Sequence, residues 1–543
     1  MVHDHGERPY DWVGAWSERR ATLSPETVGL KDATTGESYT YADLDARANR
    51  AARLLADRGV GKGDRVAVVS RNRVELVDLF FAGGKTGGVL APLSHRLAPP
   101  ELGELLDTVD PSLLVVEEPF VDAVAEAVDG DAPSCPAVVL PDNGSDCPAD
   151  GAAFDDAPTY ADALPDDDAP FDGPELSLSD PCLFLHTGGS TGTPKETVIT
   201  HGAVRWNSFN TITAWGLRPD DVTPMVFPMF HTGGWNVLTI PFFHMGGTVV
   251  ISREVDPGRV LRTIEREGAT AFVAVPAVLR SMATHDDWEG TDLSTLRFVK
   301  SGGGPCRDAT IRAWRERGVD LSQGYGLTEC GPNNFAMPDG WPEDKTDTIG
   351  KPVPHADVRI VDEAGDPVDD GEIGELELAG PHAADRYWRD ESETRATFGP
   401  TDDPAADRWV STGDLASVDA DGYYRIEGRK KNMFTSGGEN VYPPEVEDAI
   451  ADHPAVEEVI VIGVPDERWG TVGKAVIQPA ADAEGDGAPL TVDDLREFLD
   501  GRLAGFKHPR SVAFVDELPT SGPSKIDRSA VKREFGASDT KDN

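Results

Sequence analysis

The ten residues His186–Lys195, "HTGGSTGTPK", gather three glycines, four hydroxyls and one lysine. Such a set suits anion binding. Glycines let the backbone turn and expose its N–H groups, the hydroxyls add donors, and the lysine adds a charge. A Walker-type loop needs its lysine directly after the last glycine and a hydroxyl directly after the lysine. Here Thr193 and Pro194 separate Gly192 from Lys195, and Glu196 follows, so this is not a Walker loop. A Gly/Ser/Thr/Pro cluster after an apolar run also fits an ordinary turn. The residues alone leave both readings open, although no other lysine occurs between Lys85 and Lys195.

The elements that must position this stretch alternate in type. Leu44, Ala48, Ala51 and Leu55 share one helical face within "YADLDARANRAARLLADRGV", and "DRVAVVS" then reads as a buried strand. The pairing recurs in "RVELVDLFFAGG" with "VLAPL" and in "PGRVLRTIEREG" with "TAFVAVP". This alternation predicts an α/β fold with parallel sheets covered by helices. From about Pro141 to Asp180 the density of Asp, Ala, Pro and Gly predicts a solvated surface excursion. After about Val353, "DVRIVDE" and "GELELAG" predict a β-rich subdomain. Beyond "DGYYRIEGRKKN" comes a smaller α+β unit, with helices at "PPEVEDAIADHP" and "TVDDLREFLDGRLAG" and strands at "VEEVIVIGV" and "KAVIQPA". The expected division is a large domain over 1–427 and a small, mobile C-terminal domain over 428–543.

A chain of 543 residues with 39% hydrophobic residues is too long for one core and supports two or more domains. With 96 acidic against 50 basic residues the formal charge is −46, which argues against nucleic acid or an anionic membrane as a partner. Asp-rich stretches such as "PDDDAPFDGPE" suggest a halophilic surface, suited to strong screening by salt. The five cysteines form no close-spaced pair, so neither a zinc site nor a disulfide framework is indicated. The charged start "MVHDHGERPYDW" lacks a signal core and no stretch of about 18 apolar residues occurs, so no membrane span and a cytoplasmic location are expected.

Six stretches make the pattern specific. "HTGGSTGTPK", "SGGGP", "YGLTE", "STGDL", "EGRKKNMFTSGGENVYPPEVE" and "FKHPRSVAFVDELPTSGPSKIDR" stand in the order found in the adenylate-forming (AMP-binding) superfamily. From about Tyr41 to Arg528 the chain resembles AMP-forming acyl-CoA synthetases, with peptide adenylation domains and beetle luciferases as relatives. The apolar "FHTGGWNVLTIPFF" and the C-terminal motif look most like medium- and long-chain fatty acid ligases. The resemblance implies that ATP and a carboxylic acid give an acyl-adenylate and pyrophosphate, after which the CoA thiol displaces AMP. A carboxylate ionised at neutral pH needs no general base to attack the α-phosphate. Catalysis then rests on positioning and charge neutralisation.

The resemblance assigns roles residue by residue. Thr187, Gly188, Gly189, Ser190, Thr191, Gly192 and Lys195 would hold the β- and γ-phosphates. Glu329 would bind Mg²⁺ together with Thr191, and Thr328 would lie against the α-phosphate. Tyr325 would stack on adenine, with Gly303, Gly304 and Pro305 walling the base and Gly302 and Gly326 at the substrate pocket. Asp414 would accept hydrogen bonds from the ribose, with Arg429 as a second contact. Lys525 would bridge the carboxylate and the α-phosphate in the transition state. Lys431 matches the hinge between adenylate- and thioester-forming arrangements, with Gly437 and Gly438 facing the pantetheine path. His231 falls at the acyl-pocket gate, and Trp235 would line that pocket or narrow the channel. Without the resemblance each has a plainer reading: a surface carboxylate for Glu329, turns for "SGGGP" and "TGDL", a tail lysine for Lys525 and a core aromatic for Trp235.

The implied cofactors are ATP, Mg²⁺ and CoA, and the implied partner is a small carboxylic acid, with a homodimer as the assembly considered. Three residues depart from the family pattern. Glu196 stands where glycine is frequent and should repel polyphosphate unless it points away or pairs with Lys195; Ser524 and Asn432 replace a glycine and an aspartate. Two other readings remain: a free-standing adenylation enzyme that loads a carrier protein, and an inactive adenylate-binding protein.

Overall fold

The computed structural model describes residues 13–128, 133–142, 154, 156–187, 195–399, 408–436, 438–466, 468–480, 490–520 and 526–536. Gly188, Gly189, Ser190, Thr191, Gly192, Gly437, Ser524 and Lys525 lie outside them.

Two seven-stranded sheets build the large domain. One orders its strands 321–323, 298–301, 271–274, 222–225, 248–251, 28–32 and 38–40; the other 386–387, 195–200, 181–187, 89–93, 65–69, 113–117 and 137–140. The inner pairs 65–69/89–93 and 65–69/113–117 are parallel. Parallel strands need covered faces, and every residue of Leu113–Glu117 is buried. The helix Tyr41–Asp57 starts at a capping box between Thr40 and Asp43, and Leu44, Ala48, Ala51 and Leu55 are buried as their spacing predicts. The helix Val74–Thr86 stops at Gly87, whose φ of 80° suits glycine alone.

The described part of the acidic tract is the surface excursion expected of it, with no buried residue over 161–180, and it is anchored rather than free. Its stretch 156–180 is pinned to the helix Tyr41–Asp57: Arg50 donates to the Pro165 carbonyl at 2.7 Å, Arg53 to the Ala169 carbonyl at 2.8 Å, and Asn49 to the Asp168 carbonyl at 3.0 Å. Arg53 also pairs with Asp167 at 2.9 Å. The polar edge of that helix supplies donors to backbone carbonyls that the tract cannot satisfy within itself.

A four-stranded antiparallel sheet, 357–361, 374–379, 410–418 and 424–429, forms the β-rich part. The next strand, Phe434–Ser436, belongs to the five-stranded sheet of the small domain. There, Val456–Asp466 and Gly470–Pro479 form a long hairpin covered by helices Pro443–Ala451 and Val492–Leu499. Glu458 of that hairpin pairs with Arg280 at 2.5 Å and Arg307 at 2.8 Å, which ties the two domains together. Among the described residues no helix is long and apolar enough to cross a membrane.

Candidate active site

One half of the site is a closed hydrogen-bond network. Asp414 ends a tight turn in the strand Val410–Val418, where Gly413 takes φ 68°, and its carboxylate is buried. The Tyr325 hydroxyl donates to its Oδ2 at 2.6 Å, and the Arg429 Nε pairs with its Oδ1 at 2.6 Å. Burial first, then the Asp414 charge, holds the Tyr325 phenol protonated well above its ordinary range. A carboxylate offers about four lone-pair sites, so Asp414 keeps acceptor capacity for sugar hydroxyls. The turn Gly302–Pro305 lies alongside, because Gly324 donates to the Ser301 carbonyl at 2.7 Å. Gly303 takes φ 88°, and a Cβ added at Gly302 or Gly304 would meet nothing within 4 Å, so the turn is open to a flat ligand. At Gly326 a Cβ would lie 2.1 Å from the Pro332 carbonyl carbon, and only glycine lets the loop fold back there.

The other half gathers around Lys195. Its Nζ pairs with Glu393 and lies 5.3 Å from the centre of the Tyr387 ring. The Tyr387 hydroxyl donates to Glu329 Oε1 at 2.7 Å, and burial followed by the Glu329 charge raises the phenol far above its ordinary range. Thr328 and Glu329 share one short turn, Thr328–Cys330, whose Glu329 carbonyl accepts from the Ala384 N–H at 2.9 Å. Tyr387 and Glu393 are functional candidates that sequence reasoning missed. The signal was the aromatic pair and following acids of "RYWRDESET", whose strand Arg386–Tyr387 adds to the edge of Lys195–Thr200. Among the described residues no group of three His, Cys, Asp or Glu side chains forms a cage for a metal ion. One carboxylate fits Mg²⁺ that is held mainly by substrate phosphates and water.

Lys431 follows Arg429 by two residues. Burial, then the Arg429 charge, lowers its ammonium pKa; Asp414 opposes the shift and Lys195 adds to it. Gly438 is exposed at φ 94° in the neighbouring turn.

Glu196 takes one of the alternatives that the sequence left open and points away from the phosphate loop. It is buried facing inward, and Glu393 takes Lys195 instead. His231 is half-buried, its ring 4.5 Å from Phe230 and 5.8 Å from His186. Trp235, expected at the pocket wall, is 0% exposed and packs 5.2 Å from Phe80, with its indole N–H on the Met229 carbonyl at 2.5 Å. A ring with no accessible surface lines no pocket large enough for water. The apolar residues after it, Leu238, Ile240, Phe242 and Phe243, are core as well.

Residues 17–388 match the AMP-binding enzyme family, and residues 445–525 match the AMP-binding enzyme C-terminal domain. The chain is 37% identical to a feruloyl-CoA synthase of an Amycolatopsis species, over 96% of this chain and 99% of that protein. It is 34% identical to the indoleacetate–CoA ligase of Aromatoleum aromaticum, over 96% of this chain and 98% of that protein. The crystal structure of the anthranilate CoA ligase AuaEII in complex with anthranoyl-AMP matches with a TM-score of 0.85 at 28% identity, covering 97% of this chain and 98% of that one.

Proposed function

The chain belongs to the AMP-binding enzyme family as an AMP-forming acid–thiol ligase that uses ATP and CoA, and on that footing we propose that the acid it activates is a small aryl-substituted carboxylic acid. Two observations support the aryl class. The relatives named above act, by their names, on feruloyl and indoleacetate groups, and the stretch that suggested a fatty acyl pocket is occupied by the core.

The observation that carries the mechanism is that one short segment spans both halves: Tyr325 donates to Asp414, and Glu329, four residues on, accepts from Tyr387, whose ring lies beside Lys195. It supports one extended nucleotide site. Tyr325, Asp414 and Arg429 hold the nucleoside, with the Gly302–Pro305 turn beside the base. Lys195 and the loop before it hold the β- and γ-phosphates, and ATP displaces Glu393 from the lysine. Tyr387 fixes the Glu329 carboxylate, which with phosphate oxygens would hold Mg²⁺; bound there, the ion would offset phosphate charge. The acid enters past His231 already ionised, so no side chain has to remove a proton. Lys525 is proposed to neutralise charge between carboxylate and α-phosphate, and the segment at Lys431 to be the hinge on which the small domain turns before CoA attacks. ATP and CoA supply places the enzyme in the cytoplasm, and its charge of −46 favours a salt-rich one.

The test is AMP release from ATP and Mg²⁺ in molar KCl over ferulate, indoleacetate, benzoate, octanoate, palmitate and amino acids. Turnover with aryl acids that requires CoA supports the reading. Preference for palmitate moves the substrate class to fatty acids, and turnover that only a carrier protein completes removes CoA as the acceptor.

A further inference from the structure

Glu196 directly follows the lysine of the phosphate loop, and neither of its carboxyl oxygens has a hydrogen-bond partner. In the antiparallel pair Pro181–Thr187 with Lys195–Thr200, it stands opposite His186. The two side chains therefore leave the same face of the sheet, the face that carries the core residues Phe184 and Val198. Thr187 and Lys195 leave the other face. His186 is buried too, and its Nδ1 is likewise without a partner. Directly opposed residues keep their Cβ atoms about 4.5–5.5 Å apart. A carboxyl O–H can then reach an imidazole nitrogen by a rotamer change. Burying an ionised carboxylate with no partner costs far more than burying the neutral acid.

We propose that Glu196 is a positioning residue for Lys195: it is held as an uncharged acid opposite His186, and the strand end presents Lys195 to the ATP phosphates only while that proton stays. The inference rests on the reading that Lys195 and its loop hold those phosphates. The groups on the surrounding elements do not favour ionisation. The strand Arg386–Tyr387 brings Arg386, bound to Asp385, and Tyr387, bound to Glu329. The helix Glu391–Phe398 brings Glu393, bound to Lys195. Beyond His186, the rings of His231 and His95 pack around Phe230. Burial pushes the Glu196 carboxyl up to about 8, and burial with the nearby His231 pushes His186 down to about 3. Both are uncharged at neutral pH, and Lys195 is the charge presented to ATP. Once ionised, Glu196 has to reach water or a cation. Its own face of the sheet gives it no partner, so ionisation draws the side chain out of the core and disturbs the strand end that presents Lys195 to ATP.

The sign of the linked stability follows from the raised carboxyl. Its contribution is fully present below about pH 4.5 and is lost as pH rises through about 8. The test compares the native enzyme with Glu196→Gln, an isostere of the neutral acid, in two readouts from about pH 5 to 9.5: kcat/KM for ATP, and the melting temperature without substrate. The native enzyme is expected to lose kcat/KM about tenfold per pH unit above about 8, chiefly through KM, as a single ionisation requires. The Gln variant should turn over at pH 7 and lack this limb, and its melting temperature should exceed the native value by a gap that widens from about pH 5 to 8. If the amide does not fold, Glu196→Met carries the same expectation. A constant melting gap, or superposable activity profiles, overturns the proposal. A widening gap in a protein that turns over no acid overturns the functional reading and, with it, the phosphate half of the proposal.

Discussion

Asp414 and Glu196 lie at the two ends of the site and are almost equally buried, 4% and 1% exposed. Asp414 has a phenol on one oxygen and a guanidinium on the other, whereas Glu196 has nothing on either. Burial alone therefore does not decide what a carboxyl is for; its partners decide whether it is kept as a charge or as an acid. The nucleoside end is organised in advance by a network that spans Tyr325, Asp414 and Arg429. At the phosphate end, Lys195 is held by an acid that the substrate has to displace. The first end should tolerate little and the second should adjust.

Three substitutions probe that contrast. The largest effect is expected from Asp414→Ala, which strips both Tyr325 and Arg429 of their acceptor. Removing one partner of a buried, hydrogen-bonded charge pair costs about 2–5 kcal/mol, and the half-exposed Arg429 favours the lower part of that range, so kcat/KM for ATP should fall about thirty- to a few-hundredfold. A loss of only about twofold would mean that the nucleoside end is not organised by this residue. Tyr387→Phe keeps the ring beside Lys195 and removes the hydrogen bond to Glu329. A hydrogen bond to a charged group contributes about 1.5–3 kcal/mol, so kcat should fall about ten- to a hundredfold, with melting temperature little changed. If kcat holds, Glu329 is positioned by something else. The smallest effect is expected from Glu393→Ala. It frees Lys195 from a partly exposed pair worth about 0.2–1 kcal/mol, so KM for ATP should drop about two- to threefold. A rise in KM would show that Glu393 positions the lysine rather than competing for it.

The contrast also marks what the sequence could disclose. Asp414, Arg429, Tyr325 and Glu329 sit in short motifs whose spacing is preserved by local turns; the structure joins the first three directly, while Glu329 reaches Lys195 through Tyr387. The αβ alternation was legible because helix and strand periods differ along the chain, as at Leu44, Ala48, Ala51 and Leu55. Tyr387 and Glu393 were not, because they reach Glu329 and Lys195 only after a strand distant in sequence adds to the sheet edge. Glu196 and Trp235 show a second limit. A carboxyl after a loop lysine, or an indole in an apolar run, fits either an exposed or a buried site. Only the register of Glu196 against His186 and the contact of Trp235 with Phe80 choose between them. The acidic tract shows a third: its composition disclosed a solvated tract, but not that Arg50 and Arg53, far back in the chain, supply the donors that pin it.

The central claim is that this one site first joins an acid to AMP and only then passes it to a thiol. Exchange of labelled pyrophosphate into ATP, measured with ferulate or indoleacetate before any CoA is added, tests that order directly. The account predicts exchange that depends on the acid, is lost in Asp414→Ala, and gives way to stoichiometric thioester and AMP when CoA follows. AMP release without an acid, or thioester formation with no exchange beforehand, would contradict it.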